Sequence, residues 1–400
     1  MTTEKLFLND SYRCEFDARV VRAFTLENKT AIVLDRTAFY PTSGGQKHDT
    51  GRLNHSRVID VIEQDEEIVH ILESPVTAAE VHGVIDWPRR FDFMQQHTGF
   101  HILAGSFLQI TGAATVSSHL GNEISTIDIS LDAIEREQII AVENLANRII
   151  FENRPVNAYS AEPGRIDAAK IRKALPALPL VRLVDIDNFD LDPCGGTHVR
   201  ASGEVGLVKI IRWEKIRGDL RFHFFAGSRA IKDYQQKWQI CSALAAKFSV
   251  DEDDVVPAVE KMQSEMGLLQ KQNKKMTQQL LVHEAGELVR NAEQSGSKVI
   301  ALLFEDRPLN DIRELARQIT ATSDIWALLG LKAAKAHLIF AHSGASAYNL
   351  NELVRQVAHL IDGRGGGRPN FVEIGGDKTS ALEETLHSAR VILENGVLKS

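Results

Sequence analysis

Three changes of texture along the chain predict an α+β protein of several domains. Short alternating strands run to about residue 88, mixed helices and strands continue to about residue 227, and nearly continuous helix then gives way to a last mixed segment after about residue 296. A length of 400 residues exceeds one ordinary core, and 44% hydrophobic residues is ample for globular folding. In the first stretch CEFDARVVRAF, TAIVLD, HSRVIDVIEQ, EIVHILE and VHGVIDW read as short strands broken by polar turns, the pattern of a small β-barrel. FDFMQQHTGFHILAGSFLQI follows with apolar residues at three-to-four spacing, hence a helix. A second helix is expected from about Leu131 to Asn153, with Ser130 as its N-cap and acidic residues in its first turns. LVRLVDI reads as a buried strand leading into DPCGGTH, so the stretch to Gly227 forms an α/β layer.

From Ser228 a helix is expected through about Phe248, then a longer one with Asp251 as its cap and Pro257 early enough to be tolerated. Val259, Met262, Met266, Leu269, Asn273, Met276 and Leu280 alternate by three and four, the seam of a coiled coil with one polar residue inside it. The seam has two available partners, the preceding helix or a second subunit in a homodimer. After the polar hinge 294–297, KVIALLF, IWALLGL and AHLIFAH read as buried strands separated by helical stretches, a small α/β domain.

A net charge of −8 advertises no general affinity for nucleic acid, so any such site must be a local patch. The best patch is GLVKIIRWEKIRGDLRFHFFAG, where Lys209, Arg212, Lys215, Arg217 and Arg221 flank a turn expected at Gly218-Asp219. The same charges also suit a solvated hairpin edge that discourages strand pairing. Cys14, Cys194 and Cys241 are far apart with no C-x-x-C, which argues against a disulfide framework. The start MTTEKLFLND has no export signal and no run of eighteen apolar residues occurs, so a soluble, cytoplasmic chain is expected.

Two short clusters carry the chemistry. His97 and His101 in MQQHTGFH stand one turn apart on a helix face, and Cys194 and His198 in DPCGGTH complete a four-residue donor set of the kind that holds zinc. Gly195 and Gly196 are expected to allow the tight loop this needs. In FYPTSGGQ, Gly44 and Gly45 permit close backbone approach, while Thr42, Ser43 and Gln46 offer neutral hydrogen-bonding groups. GRGGGRP places Arg364 and Arg368 beside a glycine-rich turn suited to a nucleic-acid backbone. It matches neither a P-loop nor a dinucleotide fingerprint, so no nucleotide cofactor is expected.

LDRTAFYPTSGGQKHDTG, VIDWPRRFDFMQQHTGFHIL and DPCGGTH, in that order, resemble the editing domain of alanyl-tRNA synthetase and the free-standing AlaX-type editing proteins. GRGGGRPNFVEIGG, residues 363–376, resembles the C-terminal DHH-associated domain of alanyl-tRNA synthetases and long AlaX forms. The resemblance implies a β-barrel with the glycine-rich motif (1–88), a zinc-dependent alanyl-tRNA editing domain (89–227), a helical hairpin or coiled coil (228–296) and a DHH-associated domain (297–400). It implies one zinc per chain on His97, His101, Cys194 and His198, with Thr42, Gln46, His97 and Cys194 catalytic; either all four bind at once, or one, such as His198, stands back from the ion to leave a position for water or substrate. Residues 42–46 would line the substrate pocket, with Thr42 reading a serine hydroxyl, and the basic residues above together with Arg364 and Arg368 would hold tRNA. The implied function is trans-editing, hydrolysis of mischarged Ser-tRNA(Ala) and also of Gly-tRNA(Ala); the alternative is a non-catalytic tRNA-binding protein that keeps the editing fold. Glu373-Ile374 departs from the alanine-glutamine common at that place, and a glutamate faces phosphate poorly. No segment resembles the class II synthetase catalytic domain, so aminoacylation is not expected, and the Asp-His-His motif of a metal-dependent phosphoesterase is missing.

Overall fold

The computed structural model describes residues 2–167, 171–172, 174–344 and 346–397. The chain is a multidomain α+β protein with mixed sheets and one long helix. Its internal contacts divide it into two units, Met1–Leu244 and Ala245–Ser400.

The first unit opens with β1 (Glu4–Lys5) and a single helical turn, α1 (Leu6–Asn9). β2 (Glu15–Leu26), β3 (Lys29–Leu34), β4 (Arg36–Thr37), β5 (Gly51–Leu53), β6 (Ser56–Gln64), β7 (Glu67–Leu72) and β8 (Glu80–Ile85) follow. β4 pairs in parallel with β1, and the other six close into a barrel in the order β2-β3-β7-β6-β5-β8. Alternation explains the closure: Val81, Gly83 and Ile85 of β8 turn inward while Glu80, His82 and Val84 turn out. Phe16, Ile32, Leu34, Val58 and Ile68 fill the interior.

α2 (Trp87–Thr111) leaves the barrel with Pro88 in its first turn and stops at Gly112, whose φ of 73° ends the helix. From Phe93 to Phe107 every residue of α2 is buried, so this is a central helix rather than an amphipathic surface one. β9 (Thr115–Leu120), β10 (Ser125–Ile129), β14 (Val208–Ile216) and β15 (Asp219–Ala226) form one antiparallel sheet in the order β14-β15-β10-β9. β11 (Val156–Ala161), β12 (Val181–Ile186) and β13 (Asp190–Pro193) form a second. α3 (Arg136–Phe151) packs on α2. It begins five residues later than expected from Leu131, because Glu135 and Gln138 make a reciprocal capping box and Ser130 is not the cap. The turn between β14 and β15 is Arg217-Gly218, both at positive φ, one residue earlier than expected. α4 (Ser228–Phe248) closes this part of the chain.

In the second unit, α5 (Val255–Gln294) is a 40-residue helix, about 60 Å long. A short 3-10 turn, Glu252–Asp254, stands between Asp251 and this helix, and the Asp251 side chain makes no capping bond. The five-stranded sheet β16-β17-β18-β20-β19 comprises β16 (Val299–Phe304), β17 (Trp326–Lys332), β18 (Ala336–Ala341), β19 (Arg364–Arg368) and β20 (Phe371–Gly376). α6 (Leu309–Thr322), α7 (Leu350–Val357) and α8 (Leu382–Ile392) surround it. Helical stretches do not separate all the strands as expected: β17 and β18 form a direct antiparallel hairpin. GRGGGR, read as a turn, is instead the edge strand β19, paired with β20. Among the described residues no helix is long and apolar enough to cross a membrane.

Candidate metal centre and substrate loop

α2 presents His97 and His101 one turn apart, and the loop after β13 brings Cys194 and His198 to them. The four candidate ligand atoms all lie within 4.8 Å of one another. Cys194 Sγ is 3.3 Å from His97 Nε2 and 3.2 Å from His198 Nε2. A tetrahedral zinc with one thiolate and imidazoles would set such pairs about 3.5 Å apart, so these two pairs need only a slight opening.

Each imidazole is held at its far nitrogen by a different group. His97 Nδ1–H donates to Gln46 Oε1 at 2.8 Å, and His101 Nδ1–H donates to Asp190 Oδ2 at 2.9 Å. His198 Nδ1 meets Thr98 Oγ1 at 3.1 Å. With the proton fixed on Nδ1, each Nε2 lone pair is left for a metal, the arrangement by which outer partners orient ligand histidines. Burial disfavours charge on the Cys194 thiol, yet the His97 and His198 rings at the sulfur hold it well below its usual range. Burial likewise opposes the Asp190 carboxylate, but its bonds to His101 and Arg172 hold it at about 2. Arg172 completes this side, with Nε 2.8 Å from Asp190 Oδ1 and Nη2 3.1 Å from Asp192 Oδ2. Burial opposes charge on His101, but its bonds to Asp190 and Cys194 raise it to about 9, and a metal at this point would take the place of its Nε2 proton. Three imidazoles and a thiol, each imidazole with an outer partner, are a donor set that fits zinc.

The glycine argument holds for one of the two loop glycines. A Cβ on Gly196 would stand 2.1 Å from His97 Cε1, whereas one on Gly195 would meet nothing within 4 Å. Ser43-Gly44-Gly45-Gln46 is a tight turn closed by Ser43 N–H to Gln46 O at 3.0 Å and Gln46 N–H to Ser43 O at 2.9 Å. Both central glycines have positive φ, 56° and 86°, so the turn demands them. It swings the Gln46 side chain inward to bridge His97 and Thr197, its Nε2 donating to Thr197 Oγ1 at 2.8 Å.

Gln46 therefore joins the four candidate ligand residues. Ser43 and Gly44 stay exposed beside them, and Gly45 is half-buried. The hydroxyl of Thr42 contacts His48, accepting its backbone N–H at 3.1 Å and meeting its Nδ1 at 3.1 Å. Of the basic residues, three are paired within their own unit. Lys209 reaches Glu143 at 2.7 Å, Lys215 reaches Asp132 at 3.6 Å, and Arg221 grips Asp128 with two bonds of 2.7 and 2.8 Å. Arg212 contacts the His223 ring at 3.5 Å and Arg217 occupies the hairpin turn. In the second unit Arg364 and Arg368 are exposed on β19. Arg368 lines a cleft of about 660 Å³ with Arg317, His342 and Gly366. Glu373 does not face that cleft unneutralised, since Arg313 binds both its oxygens at 2.6 and 2.8 Å.

Sequence reasoning missed Thr98, Thr197, Asp190 and Arg172. One signal was present for Asp190: in DLDPC, residues 190, 192 and 194 alternate onto one face of an extended strand, so the carboxylates share the side of the ligand cysteine.

Two family models match the chain. One, described as the threonyl and alanyl tRNA synthetase second additional domain, covers residues 181–222 and contains Cys194 and His198. The other, described as tRNA synthetases class II (A), covers residues 13–89. The residues of that match are those of the barrel. The alanine–tRNA ligase of Pyrococcus abyssi is 30% identical over 406 residues, 96% of this chain and 43% of that protein. The alanine–tRNA ligase of Methanoregula boonei is 32% identical over 405 residues, with 97% and 43% covered. The chain thus spans about two fifths of the length of those ligases. The alanyl-tRNA editing protein Aarsd1 of Bos taurus is 32% identical over 306 residues, 72% of this chain and 69% of that protein. A chain that matches most of an editing protein, and carries the histidine pair and DPCGGTH on one buried cluster, belongs to the AlaX-type alanyl-tRNA editing proteins, relatives of the alanyl-tRNA synthetase domains.

Proposed function

We propose that the chain is a zinc-dependent editing hydrolase that deacylates Ser-tRNA(Ala), and Gly-tRNA(Ala) as a second substrate. The supporting observation is the convergence of three Nδ1-anchored imidazoles and the Cys194 thiol at one point, with Gln46 tying that point to the glycine turn. A pocket built for alanine rejects serine and glycine only weakly, so a second hydrolytic sieve meets a physical need. Zinc on this donor set would supply Lewis acidity toward water or the ester carbonyl.

The chain's own residues do the rest. Gln46 keeps His97 in the Nδ1–H tautomer, with the Nε2 lone pair toward the cluster, and holds the turn against it. Gly196 leaves room for the His97 ring. The buried shell around the cluster limits competing bulk water, while the exposed Ser43-Gly44 backbone sits where an aminoacyl group would approach. Thr42 is assigned the serine hydroxyl, exchanging its His48 contact for the substrate. In the reaction water adds to the carbonyl carbon, the bond to the ribose oxygen breaks, and that oxygen takes a proton; no side-chain nucleophile is needed. Arg212, Arg217, Arg364 and Arg368 are assigned to the tRNA backbone.

Deacylation of Ser-, Gly- and Ala-tRNA(Ala) by purified protein, with and without a chelator, tests this reading. About one zinc per chain is expected. Cys194→Ala should abolish deacylation and weaken zinc retention, and full activity in metal-stripped protein would overturn the mechanism.

A further inference from the structure

Among the arginines buried around the cluster, Arg182 on β12 stands apart. Arg90 pairs with Asp49, Arg172 with Asp190 and Asp192, and Arg229 with Asp92. Arg182 has no carboxylate within reach among the described residues. Its Nη1 donates to the Cys194 carbonyl at 2.6 Å and its Nε to the Leu8 carbonyl at 3.2 Å; its Nη2 makes no hydrogen bond among the described residues. Burial holds this guanidinium below its usual range, and the negative groups that act on it are the Cys194 thiol and the Tyr40 hydroxyl rather than a carboxylate.

Cys194 is the one ligand residue of the four that is not fully buried, and Gly195 beside it is exposed. The Ser43-Gly44 turn is exposed too, and Tyr40, whose hydroxyl donates to Ser43 O at 3.0 Å, lies close enough to Arg182 and Cys194 for their charges to act on it. Arg182 therefore lies against the ligand loop through the Cys194 carbonyl and within electrostatic reach of Tyr40, which holds the Ser43 carbonyl of the glycine turn. A thiolate alone would partly balance it, but once that sulfur shares its charge with a metal the guanidinium is surplus. Arginine's planar donors suit a phosphate above other anions. In an aminoacyl-tRNA the anion nearest the reacting ester is the phosphodiester on the 5′ side of the same terminal nucleotide.

We propose that Arg182 is a substrate-binding residue that receives this phosphodiester and so sets the terminal ribose over the cluster. The proposal rests on the deacylase reading and adds the recognition element for the end of the chain.

The test compares two small esters, 3′-O-seryl-adenosine and 3′-O-seryl-adenosine 5′-methyl phosphate, on wild type, Arg182→Gln and Arg182→Lys. Zinc content is measured in each protein. Wild type should favour the phosphate-bearing ester in kcat/KM by about tenfold or more, the scale of a charge-assisted bond. Arg182→Gln should bring that ratio close to one, and Arg182→Lys should recover part of it. An equal fall on both esters, or loss of zinc with the ratio intact, would overturn the proposal and leave Arg182 as a support for the Cys194 loop. Binding of uncleavable 3′-amide analogues with and without the phosphate gives the same ratio independently of turnover. Failure of wild type to cleave mischarged tRNA would therefore remove the deacylase reading, while the binding ratio would still decide Arg182.

Discussion

His97, His101 and His198 are chemically alike, but their outer partners are not. Gln46 and Thr98 are neutral acceptors, whereas Asp190 is a buried carboxylate held ionised by Arg172. A carboxylate on Nδ1 raises the electron density at Nε2 more than an amide or hydroxyl does, so His101 should be the strongest of the three imidazole donors. Asp190→Asn keeps the shape and one acceptor oxygen while removing the charge. Competition with a fluorescent chelator should show zinc affinity lowered by about 10- to 100-fold. An unchanged affinity would mean that Arg172 already cancels the carboxylate at His101. The four-residue cluster itself was legible because two spacing rules, i to i+4 on a helix and a short glycine loop, act within single motifs. Their outer partners come from distant elements, and Asp190 and Gln46 lie 89 and 51 residues from the rings they hold. No local periodicity marks such a pairing.

Among the elements, strands with alternating apolar residues were readable, and β2, β3, β6, β7 and β8 fall where the pattern puts them. β19 was not, since Arg-Gly-Gly-Gly-Arg has neither alternation nor strand propensity. Tertiary contacts supply what propensity lacks. A Cβ on Gly365 would lie 2.0 Å from Glu373 O, so glycine lets β19 press on β20, and the Asn351 side chain pairs with both the N–H and C=O of Gly367 at 3.1 Å. At the other end of the chain one buried pair registers the glycine turn at 43–46 against α2, which carries His97 and His101. Arg90, early in α2, grips Asp49 just beyond that loop, and its Nη1 and Nη2 reach Ser11 O at 2.8 Å and Ala38 O at 2.5 Å. Asp49 in turn accepts the Tyr40 N–H at 2.6 Å, so both ends of the loop are fixed by one guanidinium. Removing the carboxylate leaves a fully buried cation without its partner. Asp49→Ala should cost about 3–5 kcal/mol in urea denaturation. A loss under about 1 kcal/mol would show that the surrounding carbonyls suffice.

For the whole molecule, we propose a division of labour in which the first unit does the chemistry and the second adds tRNA affinity and self-association. All the residues assigned to catalysis, Thr42, Gln46, His97 and Cys194, lie in Met1–Leu244, whereas Arg364, Arg368 and α5 lie in Ala245–Ser400. The seam expected on α5 is exposed over most of its length, with Met266 at 52%, Leu269 at 63% and Leu280 at 71% of full accessibility, an apolar row that a second copy would cover. Contacts made far from the ester persist equally in the ground and transition states, so they lower KM without raising kcat. A chain ending at Leu244, where the contacts divide, should then show a raised KM for mischarged tRNA and a kcat within about twofold of the full chain. Light scattering after size exclusion should find the full chain dimeric and the shortened one monomeric. If the shortened and still folded protein binds tRNA as tightly as before but loses kcat, the second unit must help to build the active site, and the separation of roles fails.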